Sequence, residues 1–133
     1  MGAPAMRVLY ACIHNSGRSV AAAYLTRHLY PDVEVRSAGS EPGTAVNPGV
    51  AQVLAERGIS VADHEPTLLT HDAVQEADVV VTMGCGETCP VFPGKTYEDW
   101  PVEDPKGKDL ETVRRIVDEV EARVRDLVSR FTA

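Results

Sequence analysis

The chain has 133 residues, 44% of them hydrophobic and 25% charged, the proportions of an ordinary folded domain rather than of a disordered or fibrous chain. Its formal charge of −7 argues against nucleic acid or an anionic membrane as a partner. No apolar run approaches the roughly 20 residues of a membrane span, and Met1 to Tyr10 carries no signal-peptide pattern, so one domain over 1–133 in the cytoplasm is expected. Three cysteines are too few to staple a scaffold, and in a reducing compartment thiols at special positions point to chemistry.

Met6 to Ala11 is a short β-favouring run that ends in a polar, glycine-bearing stretch, Cys12 to Ser19, and so reads as a buried strand entering a tight loop. Val20 to Tyr30 has its alanines and leucines at helical spacing and is closed by Pro31. Val33 to Ser37 alternates as a second strand, and Ala38 to Val46, with Gly39, Pro42 and Gly43, is irregular. Asn47 then caps a helix over Pro48 to Arg57, stopped by Gly58. Thr70 caps a short helix, His71 to Ala77, before a third strand, Asp78 to Thr82. Met83 to Gly94 is expected as a loop and Lys95 to Trp100 as a short edge strand. Asp109 to Phe131 is a terminal amphipathic helix, with Leu110, Val113, Val117, Val120, Val124, Leu127 and Phe131 on one stripe. Strands alternating with helices imply an α/β fold, a parallel sheet with helices on both faces, whose ligands gather beyond the carboxyl ends of the strands. Loops carrying all three cysteines leave that end of the sheet.

Cys12 and Arg18 are separated by five residues, with Ser19 following, between a strand and a helix. Ten arginines and three cysteines would produce such a pair by chance about one time in four, so the spacing alone is weak. The context strengthens it. A loop feeding a helix N-terminus gathers backbone N–H groups into one concavity, where the helix dipole adds positive potential. The oxyanion set expected here is Ile13, His14, Asn15, Ser16, Gly17, Arg18 and Ser19, with the Arg18 fork suited to two oxygens of a tetrahedral anion. The same field favours the Cys12 thiolate, a nucleophile, and Asn15 and Ser19 are placed to steady it. The alternative is a buried structural cysteine beside a solvated arginine. His14 is expected to orient the loop, His28, His64 and His71 to lie at the surface or at caps, and Trp100 to be a packing anchor.

Three residues separate Cys85 from Cys89 in a glycine-rich segment. They are open to four readings: a redox pair, a structural pair, half of a metal site, or incidental loop thiols. Zinc generally takes four ligands, and the other residues available are acids or the distant His64 and His71, so no metal is expected.

The stretch Cys12-Ile-His-Asn-Ser-Gly-Arg-Ser after a first strand resembles the phosphate-binding loop of the low-molecular-weight protein tyrosine phosphatase superfamily, which includes a class of arsenate reductases. Asp104-Pro105 matches the family's late-loop general acid, and Val81-Thr-Met-Gly-Cys85 resembles the place where the reductases carry further thiols. The resemblance runs from about Met6 to the terminal helix. It implies four parallel strands, attack by Cys12 on a bound oxyanion, and protonation of the departing oxygen by Asp104. The phosphatase branch usually has aromatic residues after its Asp-Pro pair, whereas here Lys106-Gly107-Lys108 follows. The phosphatase loop also usually has Gly, Cys and Pro where His14, Gly17 and Val20 stand.

A reductase needs thiols to carry electrons out. By resemblance, Cys85 attacks the Cys12–arsenic adduct to release arsenite, Cys89 then takes over the disulfide, and thioredoxin regenerates the chain; mycothiol with a glutaredoxin-like protein is the alternative donor. No cofactor is called for. Some such reductases hold potassium through an acid on the first helix, but Ala21 to Tyr24 contains none, so no such site is expected. The rival readings are a phosphatase and a redox-sensing or anion-binding domain without turnover.

Overall fold

Short β-favouring runs alternating with helical segments dictate a layered α/β arrangement, because each strand must bury apolar side chains against helices. The computed structural model describes residues 6–83 and 95–132. Within them the order is β1 (Arg7–Cys12), α1 (Arg18–Leu29), β2 (Glu34–Gly39), α2 (Pro48–Glu56), α3 (His71–Glu76), β3 (Val79–Met83), β4 (Thr96–Asp99) and α4 (Leu110–Thr132). The four strands are all parallel, in the order β2-β1-β3-β4. β1 and β3 are central and read as nearly continuous buried apolar runs, whereas the edge strand β4 is exposed at both ends.

Alternation along β1 sends Val8, Tyr10 and Cys12 into one core and Leu9 toward the other. The larger core gathers Val20 and Leu25 of α1, Val50 and Leu54 of α2, and Val113, Val117, Val120, Val124 and Leu127 of α4. The smaller core sets Val74 of α3 against Leu9 and Val80. Helices thus cover both faces, as expected, though unequally. Phe131 differs from the rest of its stripe: it is exposed, and its ring meets the Arg130 guanidinium 5.9 Å from the centroid instead of the core. Trp100 is buried with its ring centroid 5.6 Å from that of Tyr10, which makes it the expected packing anchor. Among the described residues no helix is long and apolar enough to cross a membrane.

The helix starts follow local chemistry. Asn47 Oδ1 accepts hydrogen bonds from the N–H groups of Gly49 at 2.8 Å and Val50 at 3.1 Å, with Pro48 at the first helical position. Thr70 Oγ1 accepts from Ala73 N–H at 3.1 Å. Several boundaries differ from expectation at the functional end. β1 includes Cys12, because Cys12 pairs with Gly39 on one side and Met83 on the other; β2 likewise runs on to Gly39. α1 begins at Arg18 rather than Val20, so Arg18 and Ser19 belong to its first turn.

The strand order makes β1 and β3 the neighbours from which the chain departs in opposite directions, the switch point where a crevice opens at the carboxyl edge. The loop after β1 emerges there. Leu127 is remote from that edge in sequence and fully buried, so Leu127→Ala is expected to cost about 2–5 kcal/mol in urea unfolding while leaving anion binding unchanged, measured by the protection that phosphate gives Cys12 against alkylation.

Candidate active site

The backbone between β1 and α1 turns every carbonyl from Cys12 to Gly17 toward a protein donor. Cys12 O accepts from Ser40 N–H at 3.1 Å, Ile13 O from Glu41 N–H at 2.8 Å, His14 O from Gly43 N–H at 2.9 Å and Ser16 O from Asn47 N–H at 2.7 Å. Asn15 O accepts from His64 Nε2 at 3.2 Å, and Gly17 O from Ala21 N–H at 2.9 Å inside the helix. A trans peptide points its N–H opposite to its C=O. With the carbonyls engaged by residues 40–47, His64 and Ala21, the peptide N–H groups turn the other way, as Asn15 N–H does toward the Cys12 sulfur. α1 adds to this: Gly17 offers no side-chain cap and the first turn holds no acid, so its leading N–H groups and dipole stand open to an anion.

The Cys12 Sγ sits at the bottom. Asn15 N–H donates to it at 3.3 Å and the Ser19 hydroxyl lies 2.9 Å away. Asn15 Nδ2 in turn donates to Ser19 Oγ at 2.8 Å, which leaves the Ser19 proton available to be donated to the sulfur. Asn15 is fully buried at φ +50°, the left-handed region that asparagine tolerates better than most residues. Its Oδ1 accepts from Thr67 N–H at 2.9 Å. One asparagine therefore ties the thiol, the helix start and the segment after α2 together.

Arg18 is largely buried, and its Nη1 donates to the Val102 carbonyl at 3.2 Å while Nη2 lies 3.9 Å from Asp104 Oδ2. Half of the Asp104 side chain is exposed, and an ion pair this long and wet contributes little to stability. Asp104 also accepts from Lys106 N–H at 3.0 Å through Oδ1. The buried Pro105 ring explains the proline of the Asp-Pro pair: a Cβ on Gly17 would stand 2.9 Å from Pro105 Cγ. Gly17 and Pro105 thus press the two loops together and bring Asp104 over the mouth of a cleft of about 540 Å³ lined by Cys12, Ser16, Arg18 and residues 43–48.

His14 is exposed and its Nδ1 is 2.9 Å from the Glu41 carbonyl, so it steadies the loop's outer side. Cys85 and Cys89 lie outside the described residues. Among the described residues no three His, Cys, Asp or Glu side chains gather to hold a metal. His64, expected at the surface or at a cap, is instead half-buried, edge-on to the Tyr24 ring at 5.7 Å between centroids. It and Gly39 are the parts of the site that sequence reasoning missed. At Gly39 a Cβ would stand 2.6 Å from Ile13 O and 2.8 Å from Asn15 N, so only glycine lets β2 approach the loop. A bare glycine or histidine in the sequence carries no signal for either role.

Burial, then the charge of Arg27, hold the His64 imidazole below its ordinary titration range, against the pull of the Asn15 carbonyl. The folded protein therefore prefers neutral His64, and the unfolded chain binds the extra proton first. Its contribution to stability is complete above the unfolded value and is lost as pH falls below it. In urea unfolding compared at about pH 7.5 and about pH 5.5, the loss of stability on acidification should be smaller for His64→Gln than for the unmodified chain. Gly39→Ala should cost about 1–3 kcal/mol in the same measurement, because backbone has to move, and should weaken phosphate protection of Cys12.

Residues 7–133 match the family model of the low molecular weight phosphotyrosine protein phosphatases. Arsenate reductase 1 of Staphylococcus epidermidis is 34% identical over 128 residues, covering 92% of this chain and 96% of the relative. A thioredoxin-dependent arsenate reductase of Corynebacterium glutamicum superposes with a TM-score of 0.85 at 41% identity over 99% of this chain, which spans only 64% of that protein's length. A low molecular weight protein tyrosine phosphatase from T. tengcongensis superposes with a TM-score of 0.83 at 27% identity, covering 95% of this chain and 98% of the phosphatase. Extended over nearly the whole chain and both its loops, this likeness makes the protein a member of the low molecular weight phosphotyrosine protein phosphatase family.

Proposed function

We propose that this chain is a cytoplasmic, single-domain arsenate reductase that works through Cys12, Cys85 and Cys89 and is regenerated by thioredoxin. The observation that carries the reading is the Cys12 sulfur at the floor of an N–H-lined loop, with Arg18 and Asp104 converging on the same cleft. The similarity to proteins named arsenate reductases supports arsenate as the oxyanion.

In this reading the loop amides of residues 13–19 and the Arg18 fork hold arsenate's oxygens. The Cys12 thiolate attacks arsenic(V), and Asp104 gives a proton to the departing oxygen, which leaves as water. The Cys85 thiolate then attacks the Cys12 sulfur. The sulfur–arsenic electron pair stays on arsenic, arsenite leaves two electrons richer, and a Cys12–Cys85 disulfide remains. Cys89 attacks Cys85, restoring the Cys12 thiolate and moving the disulfide to Cys85–Cys89, which thioredoxin reduces. A phosphatase shares the first step but hydrolyses its thiophosphate with water. The likeness to solved phosphatases keeps that as the second reading.

NADPH consumption with arsenate, thioredoxin and thioredoxin reductase, run beside p-nitrophenyl phosphate hydrolysis, separates the two. Sustained arsenate-dependent oxidation with weak hydrolysis is expected; hydrolysis alone makes the chain a phosphatase, and oxidation only on adding mycothiol and its redoxin changes the donor. Asp104→Asn should lower kcat by about 10²–10³-fold. Cys12→Ser should abolish turnover, and Cys89→Ser should stop multiple turnover.

A further inference from the structure

The chain's charge of −7 repels the dianion that its cleft is shaped to hold, so something local must overcome that field. Three formally charged side chains line the cleft among the described residues: Arg18, Asp104 and Lys106. Arg18 and Asp104 face each other at 3.9 Å and largely cancel at a distance. Lys106 is exposed, and no ion pair joins it to any described residue, whereas the nearby Lys108 is neutralised by Glu103 at 3.3 Å.

Its backbone is fixed. Lys108 N–H donates to Pro105 O at 3.1 Å, and Gly107 has φ +73°, the signature of a type II turn with Lys106 at its leading corner. Lys106 N–H is committed to Asp104 Oδ1, and Pro105 is wedged against Gly17. The turn thus fixes the Lys106 backbone at the mouth and keeps its side chain within reach of the cleft. The facing wall, Gly43, Thr44 and Ala45, offers no aromatic surface on which an organic ester group would rest.

We propose that Lys106 is a recruiting residue for small inorganic tetrahedral dianions: it supplies the uncompensated positive charge that draws the oxyanion to the Cys12 loop. This deepens the arsenate-reductase reading and rests on it. A charge at the rim acts through a field that salt screens, so it governs capture more than the chemical step.

The test measures how much arsenate, and separately inorganic phosphate, slows alkylation of Cys12 by iodoacetamide, a neutral reagent that Lys106 does not attract. At about 0.01 M salt, Lys106→Met should need about threefold to tenfold more arsenate for half-protection, and the difference should collapse near 1 M salt, where the screening length is about 3 Å. Lys106→Arg should restore most of the affinity. Lys108→Met makes the same change in net charge and should stay within about twofold of the unmodified chain. Equal effects of the two methionine variants, or no effect of Lys106→Met while the unmodified chain is well protected, would overturn the role of Lys106 alone. If arsenate and phosphate do not protect the unmodified chain at all, the oxyanion reading itself fails, and this proposal with it.

Discussion

Six consecutive carbonyl oxygens, Cys12 to Gly17, are bonded away from the cleft, and the rest of the site depends on that. Turning them outward satisfies groups that would otherwise be buried unpaired, and it turns the opposite ends of the same peptides toward whatever the cleft holds. The donors come from the segment at 40–47, from His64 and, for Gly17, from Ala21 within α1. A chain with an overall acidic balance can bind an anion in this way, because partial charges a few ångströms from the ligand outweigh screened surface acids beyond about 8 Å at physiological salt.

The second constraint is how closely backbones approach. Gly39 lets β2 lie against the loop, and Gly17 lets Pro105 lie against its far end. The loop is gripped at both ends by contacts that a single methyl group would disturb. Asp104 gains its position through Pro105 rather than through its own ion pair with Arg18, which is long and half exposed. In the proposed reading, where Asp104 serves as the acid, Pro105 is what aims its carboxyl at the cleft.

Much of this was readable in the residues. A short β-favouring run identified β1 and three consecutive valines β3, Asn47 and Thr70 marked helix starts that their side chains do cap, and α4's stripe named its buried face apart from Phe131. These features rest on neighbours within four residues. Cys12, Asn15, Arg18 and Ser19 were legible as a group for the same reason, since one loop and one helix turn bring them together. His64 and Gly39 were not. His64 meets Asn15 across 49 residues, Gly39 meets the loop only through strand pairing, and nothing in the local sequence distinguishes either from an ordinary surface histidine or turn glycine. The extension of β1 to Cys12 likewise depends on its pairing with Gly39 and Met83, which local propensity does not encode.

The most direct test of the account is a single turnover without any reducing partner. Fully reduced chain mixed with arsenate should release one arsenite per chain and lose two of its three thiols, with peptide mapping finding the new disulfide between Cys85 and Cys89 and Cys12 still reactive. No arsenite, all three thiols intact and brisk cleavage of a phosphate ester by the same sample would contradict the account and leave the cleft a phosphatase's.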